Sequence, residues 1–163
     1  MISEVYNSIS YLAFHDIDIE DKETFDLAKL INDSVVYFQE IANNKQIKIH
    51  QNITSLTVNM DKNSIKKLIN NLITNAIKYS YPNKTIYITL EENIFKIKDE
   101  GVGIEKKYQK RIFKRYKRIN KQEAGGFGIG LDIVMGICRS NNIKINLDSE
   151  VKKGSTFTLV FPI

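Results

Sequence analysis

From residue 26 to residue 43, apolar side chains recur at helical spacing. Leu27, Leu30, Ile31, Val35, Phe38 and Ile41 form one stripe, which predicts an amphipathic helix. Two short strand-like stretches follow. In residues 47–53, Ile47, Ile49 and Gln51 alternate with Lys48, His50 and Asn52, and residues 56–59 form the second, so a sheet is predicted to begin here. Asp61 is then a natural N-cap for the strongest helix in the chain, which runs to about Tyr79 and is stopped by the turn cluster Ser80-Tyr81-Pro82-Asn83. Residues 85–92 and 94–100 alternate cleanly on either side of Asn93, and they predict a hairpin. Beyond a glycine-rich irregular stretch, residues 131–140 predict a short helix, and IKINLDS and STFTLVF predict a closing strand pair. The first 20 residues stand apart. Val5, Ile9 and Leu12 line a helical stripe that ends in an acidic run, residues 15–23, with no strand to cover it. It reads equally as the end of a longer helix belonging to a preceding domain and as an ordinary N-terminal helix packed on this one.

A chain of 163 residues with 42% hydrophobic and 26% charged residues fits one compact domain. Its net charge of +5 is local, because nine Lys or Arg and no acid lie between Lys106 and Lys121. The remainder carries 15 basic against 19 acidic residues and is mildly acidic. A strip such as KKYQKRIFKRYKRINK suits a polyphosphate, a nucleic-acid backbone or an acidic partner, and composition does not choose among them. A single cysteine, Cys138, makes no internal disulfide, and two scattered histidines give no zinc-ligand spacing. Disulfide scaffolds and zinc modules are thereby excluded. No apolar run approaches the roughly 20 residues needed to span a bilayer, and the N-terminus lacks a signal-peptide pattern. The expectation is a soluble, cytoplasmic chain.

Four short motifs carry candidate chemistry. On the strong helix, Ile65, Leu68, Ile69, Leu72, Ile73 and Ala76 share the apolar face, while Asn71, Asn75 and Lys78 fall within an arc of about 60° on its flank. Asparagine is a mediocre helix former, so two amides beside an ammonium at the border of the core suggest a polar ligand. Amide oxygen suits Mg²⁺ and lysine suits phosphate. The second motif, Asp99-Glu100-Gly101-Val102-Gly103, lies where an alternating strand ends. A carboxylate there can accept from an exocyclic amine, and glycines let backbone approach a flat ring. The third, Gly126-Phe127-Gly128-Ile129-Gly130-Leu131, opens a helix and offers backbone N–H groups to phosphate. It has neither the P-loop nor the dinucleotide-fold spacing. The fourth is the basic, aromatic segment Arg111-Ile112-Phe113-Lys114-Arg115-Tyr116. Each alone reads equally as a solvated face or a plain turn.

In this order the motifs resemble the ATP-binding catalytic domain of sensor histidine kinases, in the wider family that holds Hsp90, DNA gyrase and MutL. LINNLITNAIKYS is similar to the N box, DEGVGI to the G1 box, IFKRYKR to the F box, GGFGIGLDIV to the G2 box and GSTFTLVFP to the closing segment. The resemblance covers about residues 26–163. It implies an α/β sandwich of two layers, with a mixed sheet of about five strands, three helices on one face and a mobile ATP lid over about residues 105–125. It further implies that Asn75 holds Mg²⁺ with Asn71 in support, that Lys78 lies near the phosphates and that Tyr79 lies near the adenine. Asp99 would accept from the adenine amine, and Gly101, Gly103 and Ile104 would shape the pocket. Arg115 and Arg118 would reach the phosphates from the lid. Gly126, Phe127, Gly128, Ile129, Gly130 and Leu131 would line the triphosphate, and Thr156 of the closing segment would complete the site.

Asn71 separates branches of this family. The resemblance leads one to expect, in the ATPases, a glutamate four residues before the Mg²⁺-binding asparagine, acting as general base. Asn71 stands there instead, and an amide takes no proton at neutral pH, so efficient hydrolysis by this pocket alone is not expected. A histidine kinase needs no such base, since another domain presents the imidazole. Neither His15 nor His50 lies in the phosphoacceptor pattern, so the acceptor domain is expected outside residues 21–163, with residues 1–20 as the end of its second helix. Two departures concern the G2 box. Phe127 replaces a usual Thr or Ser, and Asp132 replaces a small polar residue, an acid that favours the helix N-terminus but repels phosphate. The partners implied are ATP, the histidine-bearing dimerisation domain and, through the full-length kinase, a response regulator. Nucleic acid is not expected, and a membrane only through other regions. The alternative is a nucleotide-sensing pseudokinase, or a module binding an acidic partner or nucleic acid, without phosphoryl transfer.

Overall fold

The computed structural model describes residues 21–112 and 130–163. Strand β1 (Lys22–Asp26) runs directly into helix α1 (Leu27–Asn44), and β2 (Lys48–Ile53) and β3 (Thr57–Asp61) precede helix α2 (Lys62–Tyr79). The hairpin β4 (Thr85–Glu91) and β5 (Ile94–Lys98) follows, then the short helix α3 (Lys106–Gln109), helix α4 (Gly130–Ser140) and the closing pair β6 (Lys144–Glu150) and β7 (Gly154–Val160). The main sheet has the order β2-β4-β5-β7-β6. Only β2 and β4 are parallel, as expected for strands joined through the crossover helix α2. The expected mixed five-stranded sheet under three long helices is therefore present.

One expectation is corrected. Residues 57–61 do not extend the main sheet; β3 pairs antiparallel with β1 in a separate two-stranded sheet, from Lys22 opposite Asp61 to Asp26 opposite Thr57. Residues 22 and 23 read as part of an acidic run without a strand, because β1 shows almost no alternation and depends on a partner more than 30 residues away. Asp26 fixes the corner. Its carboxylate accepts from the N–H groups of Ala28 (3.0 Å) and Leu56 (3.2 Å), which caps α1 and ties it to the start of β3.

Helix α2 is the keystone of the helical layer. Ile65, Leu68, Ile69, Leu72, Ile73, Ala76 and Ile77 are buried between α1, α4 and the inner face of the sheet, formed by Ile86, Ile88, Leu90, Phe95, Ile97, Phe157 and Leu159. Burial of each such large aliphatic side chain contributes about 1.5–3 kcal/mol. Asp61 caps α2 by accepting from the N–H groups of Asn63 (3.0 Å) and Ser64 (3.3 Å) and from the Ser64 hydroxyl (2.7 Å). Cys138 is buried on α4, and burial pushes its thiol up to about 12, as befits a small core residue rather than a nucleophile. His50 lies on the exposed outer face of the sheet, edge-on to Tyr87 with ring centroids 6.0 Å apart, in keeping with a surface role.

Two substitutions should separate cap from core. Asp61→Ala is expected to cost about 1 kcal/mol of unfolding free energy, and Leu72→Ala, which leaves a cavity beneath the polar face of α2, about 2–5 kcal/mol. Urea midpoints at unchanged m-value would read both.

Candidate functional site

The site is built around the inner end of β5. Strand alternation puts Lys98 on the outer face, so Asp99 turns inward and is only 6% exposed. Its carboxylate accepts from the Ser155 N–H (3.2 Å) on the neighbouring strand, while the Asp99 N–H donates to the Ser155 carbonyl (2.9 Å). Burial pushes the Asp99 carboxyl up to about 6. The N–H groups of Ser155 and Gly101 and the nearby charge of Lys45 all act in the opposite sense and keep it from rising further.

The next residues join β5 to the end of α2. Gly101 bridges Ser80, and the Val102 N–H donates to the Tyr79 carbonyl (3.1 Å). A methyl group on Gly101 would lie 1.9 Å from that carbonyl oxygen and 2.9 Å from Asp99 Oδ1, so only glycine allows this approach. Gly154 closes the other side. It holds φ at +115°, and an added Cβ would meet the Asp99 carbonyl oxygen at 2.0 Å. Ser80 is buried here with its hydroxyl unpartnered among the described residues.

On α2, Asn71, Asn75 and Lys78 are all half-buried, as residues flanking an apolar face should be. The Asn71 amide donates to the Lys67 carbonyl one turn back (2.8 Å), which leaves its Oδ1 facing the start of α4. There a Cβ on Gly130 would come within 2.9 Å of that oxygen. The first and third motifs thus meet at Asn71 and Gly130, although 59 residues separate them in sequence. The Lys78 ammonium lies 5.6 Å from the centre of the Tyr79 ring. Leu131 is half-buried against the core beside Gly130.

The arrangement brings together Asn71, Asn75, Lys78 and Tyr79 on one helix, Asp99 and Gly101 at its C-terminal end, and Gly130 and Leu131 at its flank. Other predicted residues lie elsewhere. Gly103 packs against the Glu150 carbonyl and the Ile104 N–H donates to Ser149 Oγ (2.8 Å), so both are tied to the β6–β7 turn. Thr156 pairs with Lys98 and Asp148 on the outer face of the sheet, away from the helices. The contact to Asp99 is made by its neighbour Ser155. The parity of Phe157 and Leu159, both inward, already carried that assignment. Arg115, Arg118, Gly126, Phe127, Gly128 and Ile129 lie outside the described residues, as does the whole segment 1–20. The described start of the expected lid, residues 105–112, is pinned instead. The Gln109 side-chain amide donates to the carbonyls of Ile104 and Ser149 (both 3.0 Å), and Ile112 is buried.

A family described as histidine kinase-, DNA gyrase B- and HSP90-like ATPase matches residues 60–163, which hold α2, Asp99, Gly101 and Gly130. The chain belongs to this family. Among relatives of this histidine kinase-like ATPase domain, the heme sensor protein HssS of Staphylococcus saprophyticus is 34% identical across 99% of the chain. The sensor-like histidine kinase SenX3 of Mycolicibacterium smegmatis is 34% identical across 88%. The chain spans 34% and 40% of the lengths of these two proteins. Among solved structures, the mycobacterial sensor histidine kinase MprB shares the fold at a TM-score of 0.78 and 22% identity, over 86% of this chain and 97% of that one. Full-length ShkA, solved in complex with AMPPNP, shares it at 0.83 and 21%, over 96% of this chain and 34% of that one.

Within this ATPase-family domain the raised Asp99 pKa has a thermodynamic consequence. The folded state holds the proton at pH values where the unfolded state has released it, so the contribution of Asp99 to stability is present below pH 3.8 and lost as pH rises through about 6. Asp99→Asn is therefore expected to be more stable than the parent at pH 7 and to have a flatter stability profile between pH 4 and 7, measured by thermal unfolding. Gly101→Ala is expected to lower the melting temperature through its clash with backbone. Gly136→Ala, whose methyl meets nothing within 4 Å in the interior of α4, is expected to gain about 1 kcal/mol.

Proposed function

We propose that this chain binds Mg-ATP between α2 and the start of α4 and donates the γ-phosphoryl group to a histidine on a separate dimerisation domain, as the catalytic part of a two-component sensor histidine kinase. The observation that carries this reading is the buried Asp99 carboxylate beside glycine-only backbone, at one end of a helix whose flank presents Asn71 to Gly130. Asp99 accepts the adenine amine, and Tyr79 and Gly101 face the ring. Asn71, Asn75 and Lys78 take the phosphate end, with the N–H groups at the start of α4. Arg115, Arg118, Gly126, Phe127, Gly128 and Ile129 complete that end in this reading, and Gly103 and Ile104 hold the pocket wall to the β6–β7 turn.

The donor set fits Mg²⁺ of one kind. No group of three or more His, Cys, Asp or Glu side chains able to hold a metal occurs among the described residues. Asn75 supplies a hard amide oxygen, suited to an ion that arrives on phosphate and keeps most of its waters. Mg²⁺, when bound, neutralises part of the phosphate charge. Asn71 makes no general base, so the chain positions and shields the nucleotide while the imidazole of the other domain attacks. That histidine-bearing domain and a response regulator are the partners, and the AMPPNP complex of ShkA supports a nucleotide as ligand. No helix among the described residues is long and apolar enough to cross a membrane. In this reading the chain works in the cytoplasm, on its own or as the inner part of a membrane sensor.

Calorimetric titration with ATP, with and without Mg²⁺ and against GTP, tests the reading. Mg²⁺-dependent binding that prefers adenine is expected, and addition of a histidine-bearing dimerisation domain is expected to yield phosphohistidine. Binding of neither nucleotide would overturn it. Asn75→Ala should abolish the Mg²⁺-dependent component. Asp99→Ala should weaken ATP far more than inorganic triphosphate, and equal loss of both would remove Asp99 from adenine recognition.

A further inference from the structure

Lys45 lies in the turn between α1 and β2, outside every motif discussed above. Its ammonium donates to the carbonyls of Ile77 (2.8 Å) and Lys78 (2.6 Å), across 32 and 33 residues of sequence. These are two of the last carbonyls of α2, which have no partner within the helix and carry the negative end of its dipole. The Lys45 backbone is itself held. Its N–H donates to Ala42, that of Gln46 to Asn43 and that of Ile47 to Ala42, while the Asn83 N–H returns to the Gln46 carbonyl (3.0 Å). Gln46 takes φ at 59° to close the turn, and Ile47 is buried. A cation on a fixed base thus grips the helix end immediately before Tyr79 and Ser80, the residues that meet Gly101. It also lies close enough to Asp99 for their charges to interact.

We propose that Lys45 is a positioning residue for the adenine end of the site, which it acts on by clamping the last turn of α2 against the Asp99–Gly101 segment. The proposal rests on the nucleotide reading above. The phosphate end should depend on the clamp much less, because Asn71 and Asn75 lie about two turns and one turn before Tyr79, where α2 is packed on both sides, and of that end only Lys78 shares the clamped turn. Lys45 is partly desolvated, which lowers its pKa while Asp99 opposes that shift. The groups acting on Asp99 are the N–H donors of Ser155 and Gly101 and this one ammonium. Removing the ammonium should therefore also raise the Asp99 pKa above its present value.

The test compares the parent chain with Lys45→Met, which keeps the apolar stem but loses charge and donors, and Lys45→Arg, which keeps both. Titrations use Mg-ATP and Mg-inorganic triphosphate between pH 5.5 and 8. Lys45→Met is expected to weaken ATP about tenfold, less than the full worth of its two charged hydrogen bonds because it acts through the helix, to weaken triphosphate much less and to move the acid limit of ATP binding to higher pH. Lys45→Arg is expected to restore all three. Amide hydrogen exchange on the nucleotide-free protein supplies a second readout. The Ser80 and Val102 N–H groups, bonded to the Ala76 and Tyr79 carbonyls, should exchange faster in Lys45→Met, while amides early in α2 should not. Equal loss of ATP and triphosphate, an unmoved pH limit, or unchanged exchange at Ser80 and Val102 would overturn the clamp and leave the nucleotide reading standing. A parent chain that binds neither ligand would overturn both.

Discussion

A carboxylate on the core side of a sheet is costly unless its surroundings answer it, and the site depends on how Asp99 is answered. Burial alone drives the group toward its neutral form. What restrains that drive is mostly backbone, the N–H groups of Ser155 and Gly101, and backbone can come this close only where side chains are missing. Gly101 and Gly154 are thus fixed by Asp99 as much as by chain reversal. The result is a polar wall of rigid parts. An acceptor held this way is ready for a ligand donor without reorganising, which is where a buried polar group repays its cost to stability.

Helix α2 links that wall to the other half of the site. Its apolar face is locked between α1, α4 and the sheet, so the rotation of the helix is set by the core. The polar arc of Asn71, Asn75 and Lys78 inherits that rotation. A small repacking of the core would therefore turn the site residues as a group, whereas changes on the outer face of the sheet, at Tyr87 or Thr156, would leave them in place. The short sheet of β1 and β3 serves the same end from further away, because Asp26 and Asp61 start the two long helices at its two strands.

Much of this was legible in the sequence, and the parts that were not share a cause. The long helices, the β4–β5 hairpin and the closing pair announce themselves through local periodicity and caps. The meeting of Asn71 with Gly130 was readable only through resemblance to a family, since nothing local says that residues this far apart meet. β1 was missed because its burial pattern has a single inward residue, Phe25, and its pairing with β3 is non-local. Thr156 was placed in the site where parity with Phe157 and Leu159 assigns the inward position to Ser155. Lys45 gave no signal at all: a lysine in a turn looks solvated until the carbonyls it reaches are known.

Under the proposed reading, one element treats the two ends of a nucleotide differently. Asn71 and Tyr79 are eight residues apart on α2, roughly 12 Å along its axis at the helical rise, a span suited to a ligand with a charged tail and a flat head. At the Asn71 end the protein offers amides and the start of α4, groups that tolerate any polyphosphate, and the Lys78 side chain adds a charge from the last turn. At the Tyr79 end it offers one oriented carboxylate against glycine-only backbone, which discriminates by hydrogen-bond pattern. A helix keeps the two ends in register only if its C-terminal turn is held, and there Ala76, Ile77 and Ser80 are buried while Lys45 and Val102 take the last carbonyls.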